Sequence, residues 1–380
     1  MQLRHRHQAS LEGVIDFSIV TNLTETQHTD GQRRFYEIVS HFEALPGSTT
    51  PYSKPLLVRG LYDFAAPGQS KDNVLVVFFE AMRIPMVGNE ALDYGSLKSD
   101  FDDFAEYMRE NFLQPLKVAG YKTPLQSPRI DSALDRLQAR HAEVGTPDRI
   151  DTLREDCLKR DRYRCVVTRA FDNREFRRRM EAGITTDDDG ASFDLGPTLP
   201  RGLHVAHILP HALTKAESEN NSELDETKKT TLKILNMFDS GVLSLIEGIE
   251  IDRPRNAMTM APEMHEDFGG FSIFFEPVPG APAHTYRVQH FLHPAVARVY
   301  GLPVTRTFFQ HATTIDPPSP RLLAIHRAVA HILHMSGAGK YIDKLLDDLN
   351  KDYVRSDGST RLGEMMALRM GGWWNGTVRG

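Results

Sequence analysis

Two histidines and an asparagine, His207, Asn256 and His265, are the residues whose types and placement suggest chemistry. An imidazole with its ordinary pKa of about 6.5 exchanges a proton near neutral pH, and its neutral form ligates divalent metals. His207 sits in LHVAHI, a run that reads as a short strand ended by Pro210. Asn256 opens NAMTM, a second strand. His265 lies in PEMHEDFG, a short helix with Pro262 in its first turn and Gly269 as terminator. A strand–strand–helix unit would bring the three together, Asn256 and His265 being nine positions apart. Each also has an ordinary role: the chain holds 16 histidines, and Asn ahead of a strand is a common turn residue.

The elements around this unit follow from pattern. DTLREDCLKRD reads as a helix leading into RYRCVVTRAFD, strand-like around Cys165–Thr168. TTDDDGASFDLGPTLP reads as a loop, and residues 212–250 as a largely helical insertion between the two strands. FSIFFEP and TYRVQH suggest a following hairpin. Upstream, Thr29 and Gln32 suggest a capping box, LLVRGLY and VLVVFFEAM look strand-like, and Ser99 is a plausible N-cap for a helix through Phe101, Phe104, Ala105, Met108 and Phe112. Residues 121–148 read as a connection. Near the end, Leu322, Ile325, Val329, Ile332 and Leu333 form one helical stripe stopped near Gly337, and His326, His331 and His334 are expected at the edge of the core. The expectation is an α+β protein. Residues 1–150 form a mixed α/β or mainly helical unit, 151–300 the central ββα module with its insertion, and 301–380 a helical C-terminal region.

AHILP, RNAMTM and APEMHEDFG resemble the three motif segments of HNH (ββα-metal) nucleases. They are most similar to a branch, common in uncharacterised fungal proteins, whose first motif reads AHI. RDRYRCVVT resembles that branch's entry segment, and the flanks YSKPLLVRGLYDF and QSKDNVLVVFF are similar to the N-terminal regions of the same proteins. The resemblance implies metal-dependent hydrolysis of phosphodiester bonds in nucleic acid, DNA before RNA, leaving a 5′ phosphate and a 3′ hydroxyl. It implies His207 as general base, His265 as metal ligand, and Asn256 as either a ligand or a residue that orients His207 through backbone hydrogen bonds. The metal would be Mg²⁺ or Mn²⁺, with Zn²⁺ or Ni²⁺ as alternatives. Many such sites carry a ligand directly before the base; here that position is Ala206, so either a ligand comes from elsewhere or the site binds metal weakly. His211 is the first candidate, followed by His204, Glu263 and Asp267.

Ten Lys or Arg against five Asp or Glu lie between Arg154 and Arg179, and Arg160, Arg162, Arg164 and Arg169 are the expected phosphate contacts. The net charge of −6 argues against coating nucleic acid by bulk electrostatics. Two cysteines, Cys157 and Cys165, make no disulfide framework and point to a reducing compartment, cytoplasm or nucleus rather than secretion. They are expected to be buried thiols. No apolar run is long enough to span a bilayer, so no membrane partner is expected. HEDFG lacks the second histidine of HExxH, GAGKY lacks the features of a phosphate loop, and no PCxxC pair supports a zinc deaminase. The rival reading is an HNH-fold module, impaired in metal ligation, that binds nucleic acid or protein without cutting.

Overall fold

The computed structural model describes residues 22–45, 50–121, 147–193, 199–214, 226–308, 314–350 and Trp373. Most of the expected connection over 121–148 and part of the 212–250 insertion lie outside them. In chain order the described helices and strands are α1 (Glu25–Ala44), α2 (Lys54–Asp63), α3 (Gln69–Met82), α4 (Tyr94–Met108), α5 (Gln114–Gly120), α6 (Pro147–Arg160) and α7 (Asn173–Glu181), then β1 (His204–His207), α8 (Glu226–Phe238), β2 (Ala257–Met260), α9 (Pro262–Gly269), β3 (Ile273–Pro277), β4 (Thr285–His290), α10 (Pro294–Tyr300), β5 (Val304–Thr307), α11 (Pro320–Ser336) and α12 (Ala338–Asn350). The fold is α+β. No described helix is long and apolar enough to cross a membrane.

The chain divides into two compact units that are discontinuous in sequence. One takes Met1–Val118, Ala216–Ser244 and Ala328–Gly380; the other takes Ala119–Lys215 and Leu245–Arg327. The regular elements among the described residues of the first are all helices. Its core is aromatic, with Phe78 of α3 edge-on to Phe35 of α1 at 4.8 Å and to Phe104 of α4 at 5.6 Å. The two strands expected here are helices. LLVRGLY belongs to α2, which Ser53 caps and Pro55 opens, and VLVVFFEAM belongs to α3. An apolar run carries no period by which to tell a buried strand from a helix buried on most of its faces, and the 14 residues of α3 are a helix length. Capping also lies earlier than expected. The capping box is Thr24 with Gln27 rather than Thr29 with Gln32, and Asp93 rather than Ser99 caps α4, accepting from the amides of Gly95 and Ser96.

The second unit contains the hairpin and its helix. β1 and β2 pair antiparallel, His204 opposite Met260 and His207 opposite Ala257, and α9 follows directly. Leu153 and Cys157 of α6 pack against Val205 and Ala257, so the helix backs both strands. Cys157 and Cys165 are buried free thiols. Cys165–Thr168 is a turn and not a strand: Cys165 N–H donates to the Ala170 carbonyl at 2.9 Å, and Arg169 N–H donates back to the Cys165 carbonyl at 3.0 Å. The turn is fastened to the hairpin where Val166 N–H donates to the Thr259 carbonyl. β3 and β4 form the expected hairpin, which β5 extends to three strands.

Candidate active site

β1 ends at His207, and Pro210 turns the chain into the short 3₁₀ turn His211–Leu213. This places His207 and His211 on either side of one carboxylate. His207 Nε2 lies 3.2 Å, and His211 Nδ1 2.9 Å, from the same oxygen of Asp252, Oδ1. A carboxylate oxygen only accepts, so in the neutral imidazoles both of those nitrogens carry the proton. His207 Nδ1 is then a bare lone pair; it is buried and has no hydrogen-bond partner among the described residues. Burial alone would raise the Asp252 pKa, but hydrogen bonds from His207 and His211, with their charges, hold the carboxyl well below the usual range.

Asp252 comes from the segment just ahead of β2, and Asn256 holds that segment in place. The Asn256 carboxamide is fully buried: its Oδ1 accepts from Leu209 N–H at 2.9 Å, and its Nδ2 donates to the carbonyls of Leu209 at 3.0 Å and Ile251 at 2.9 Å. These bonds stitch the turn after β1 to the loop before β2. Of the two roles left open for Asn256, its hydrogen bonds fit the orienting one.

His265 faces elsewhere. From α9 it points its Nδ1 at His204 Nδ1, 3.3 Å away, the two rings standing nearly perpendicular at 83°. Burial pushes the His265 pKa down to about 4, and the charges of His204 and His207 push the same way. His204 is lowered by burial and by Arg154, against the pull of Glu263. The expected trio therefore does not share one set of contacts. His207 joins His211 and Asp252, Asn256 joins backbone, and His265 joins His204. Of the other candidate ligands, Glu263 is ion-paired with Arg201, and burial beside Glu266 and Glu263 raises Asp267 to about 6.

Ligand atoms of His207, His211 and Asp252 lie within 4.8 Å of one another, and no other group of three or more His, Cys, Asp or Glu among the described residues is as close. Two imidazoles and one carboxylate suit a divalent metal, borderline ions more than hard ones. Sequence reasoning found His211 but missed Asp252. Its one local signal is an acidic residue four positions before Asn256.

The arginine stretch is largely satisfied within the chain. Arg160 is buried and cannot meet a phosphate: its guanidinium pairs with Asp161 and donates to the carbonyls of Pro254, Ala257 and Asp316. This corrects its expected place on the surface, because α6 turns that side chain inward to tie the strand entry. Arg162 pairs with Asp189, and Arg164 with Asp187. Arg169 is more open, 42% exposed, with Asp189 at 3.9 Å.

No curated protein and no solved structure matches this chain. Residues 165–276, less than half of the chain but containing every histidine and carboxylate of the corner just described, match the family described as HNH endonuclease.

Proposed function

We propose that the second unit is a metal-dependent nuclease that hydrolyses phosphodiester bonds in nucleic acid, DNA in preference to RNA, with His207 as general base. The observation that carries this reading is the asymmetry of His207: Nε2 is anchored on Asp252 while Nδ1 is bare. A base oriented by a third group, with its other nitrogen free to take a proton, is the arrangement that activates water. His207 Nδ1 takes the proton from the attacking water, and Asp252 balances the imidazolium that results. Asn256 fixes the distance between the two loops that carry these groups. His265 is the residue proposed to hold a divalent ion, which would supply Lewis-acid stabilisation of the developing charge. Attack by water at phosphorus, with departure of the 3′ oxygen, leaves a 5′ phosphate and a 3′ hydroxyl. Arg162, Arg164 and Arg169 are proposed to meet flanking phosphates, at the expense of their present acidic partners.

A second reading has its own support, the closeness of the His207, His211 and Asp252 donors. An ion there makes His207 a ligand and not the base. Incubating the purified protein with supercoiled plasmid and Mg²⁺, Mn²⁺ or Zn²⁺ tests the nuclease proposal. Nicking is expected from the wild type and not from His207→Ala. Cleavage by that variant would sink the mechanism, and no cleavage with any metal by a folded wild type would favour a non-catalytic binding module. Metal affinity of His207→Ala separates the two readings: retained if His207 is the base, lost if it is a ligand.

A further inference from the structure

We infer that His204 and His265 together form one edge of a metal-binding site that takes a borderline divalent ion such as Zn²⁺ or Co²⁺. The inference rests on the nuclease reading only in placing an ion at His265. The assignment of His204 comes from geometry. Two nitrogens bound at about 2.05 Å to one tetrahedral ion stand about 3.3 Å apart, and the two Nδ1 atoms are 3.3 Å apart. That separation is long for a direct hydrogen bond. The rings stand at 83° to one another, their centroids 5.5 Å apart. Among the described residues neither nitrogen has another hydrogen-bond partner, and Glu263, the acid whose charge acts on His204, is ion-paired with Arg201.

Both residues sit on regular elements. His204 begins β1 and is held in register opposite Met260, the last residue of β2, and α9, which carries His265, starts two residues after β2 ends. Side chains of a strand alternate, so His204 and Ala206 share one face of β1. Ala206 offers no ligand, and the imidazole two positions earlier supplies one from the same face. The chemistry selects the ion. Two neutral imidazoles suit Zn²⁺, Co²⁺ or Ni²⁺, whereas Mg²⁺ prefers oxygen ligands and keeps its waters. Two protein ligands leave the remaining positions open to water or to a phosphate oxygen.

The test is a Co²⁺ and Zn²⁺ titration of the full chain by calorimetry, run on the wild type, His204→Ala, His265→Ala and, as a control in the helical unit, His41→Ala, with a thermal melt to verify folding. The wild type is expected to bind, His204→Ala and His265→Ala to lose roughly tenfold or more in affinity, and His41→Ala to bind as the wild type does. His204→Cys adds a measurement independent of any loss of fold: with Co²⁺ it should show a thiolate-to-cobalt charge-transfer band absent from the wild type. No binding by the wild type, equal binding by His204→Ala, or a His204→Cys protein without that band would overturn the site. If plasmid stays intact while metal affinity follows His204, the nuclease reading falls and this site stands. If plasmid is cut while affinity ignores His204, the nuclease reading stands and this site falls.

Discussion

His207 and His326 are two buried histidines of the second unit, and both present a buried Nδ1 with no hydrogen-bond partner among the described residues. Their other nitrogens differ. His207 Nε2 rests on the Asp252 carboxylate, which His211 shares. His326 Nε2–H donates to the Phe268 carbonyl at 2.9 Å, and its ring stacks on Phe268 at 3.9 Å and on Phe271 at 4.5 Å. Protonating His207 creates a cation beside an anion. Protonating His326 creates one among aromatic rings and a carbonyl, and burial accordingly drives its pKa down to about 3. A bare nitrogen is thus not a base by virtue of being bare; the group behind the other nitrogen decides whether it can accept a proton.

Turnover should separate the two most sharply. Replacing His207 with alanine should lower kcat by about 10²- to 10⁴-fold, the usual contribution of a general base, with the melting temperature little changed. His326→Leu should leave kcat within about threefold, since no charge is lost from the Asp252 corner; what it removes is the bond to the Phe268 carbonyl. Single-turnover cleavage at saturating metal measures both. A His326→Leu enzyme as inactive as His207→Ala would erase the distinction.

The dependence of stability on pH should report the sealed histidine. His326 has a folded pKa of about 3 against roughly 6.5 when unfolded, so over that window the unfolded chain binds more protons. Stability therefore rises with pH through the window and is lost as pH falls below about 6.5. At about 1.4 kcal/mol per unit, His326 alone should remove roughly 2 kcal/mol between pH 6.5 and 5. His265, with a folded pKa of about 4, adds to the loss in the same direction. Asp252, whose folded pKa is depressed, adds to the loss once pH falls into the ordinary carboxylate range, where the unfolded chain takes up the proton. Urea unfolding at pH 7 and pH 5 should show His326→Leu losing less stability than the wild type. Equal losses would mean that His326 titrates in the folded chain as freely as in the unfolded one.

Asn256 belongs to the His207 corner yet resembles His326 in directing its polar atoms at backbone. Asn256→Ala leaves the Leu209 amide and two carbonyls without their partner. At about 1 kcal/mol for each bond the loss should approach roughly 3 kcal/mol. The variant that remains folded should titrate metal with near wild-type affinity. Full stability together with lost metal affinity would make Asn256 a ligand instead.

Local signals marked the elements of the site well, and tertiary partners poorly. Pro262 and the glycines that follow His265 bound α9 by backbone chemistry that operates within a few residues, so that helix was legible. The alternation and breakers around LHVAHI and NAMTM likewise located β1 and β2. Asp252 was not legible, because its role depends on closing a 45-residue separation from His207, and nothing in IDRPRN says which way the carboxylate turns. The same limit explains His204, one candidate among several until α9 brought His265 opposite it. In the helical unit, VLVVFFEAM shows why burial can mislead: where nearly every face of a helix is covered, the polar positions that would display its period disappear.

Where a side chain spends its donors also ranks the arginines, and here the expected effects are smallest. Arg160 gives its guanidinium to Asp161 and to backbone carbonyls, so its removal would be felt in folding rather than in substrate affinity. Arg169 is 42% exposed and holds Asp189 only at 3.9 Å, so a phosphate can compete for it at low cost. If it meets one phosphate, Arg169→Ala should weaken binding of a short duplex severalfold, uniformly across sequences, and reduce the slope of log affinity against log salt by about 1. Fluorescence anisotropy with a labelled duplex, in metal-free buffer to prevent cleavage, measures both quantities. A weaker complex with an unchanged salt slope would argue for a lost structural contact at the Cys165 turn, whereas unchanged affinity would remove Arg169 from the substrate path and leave Arg162 and Arg164, each already paired with an aspartate, to be tested next.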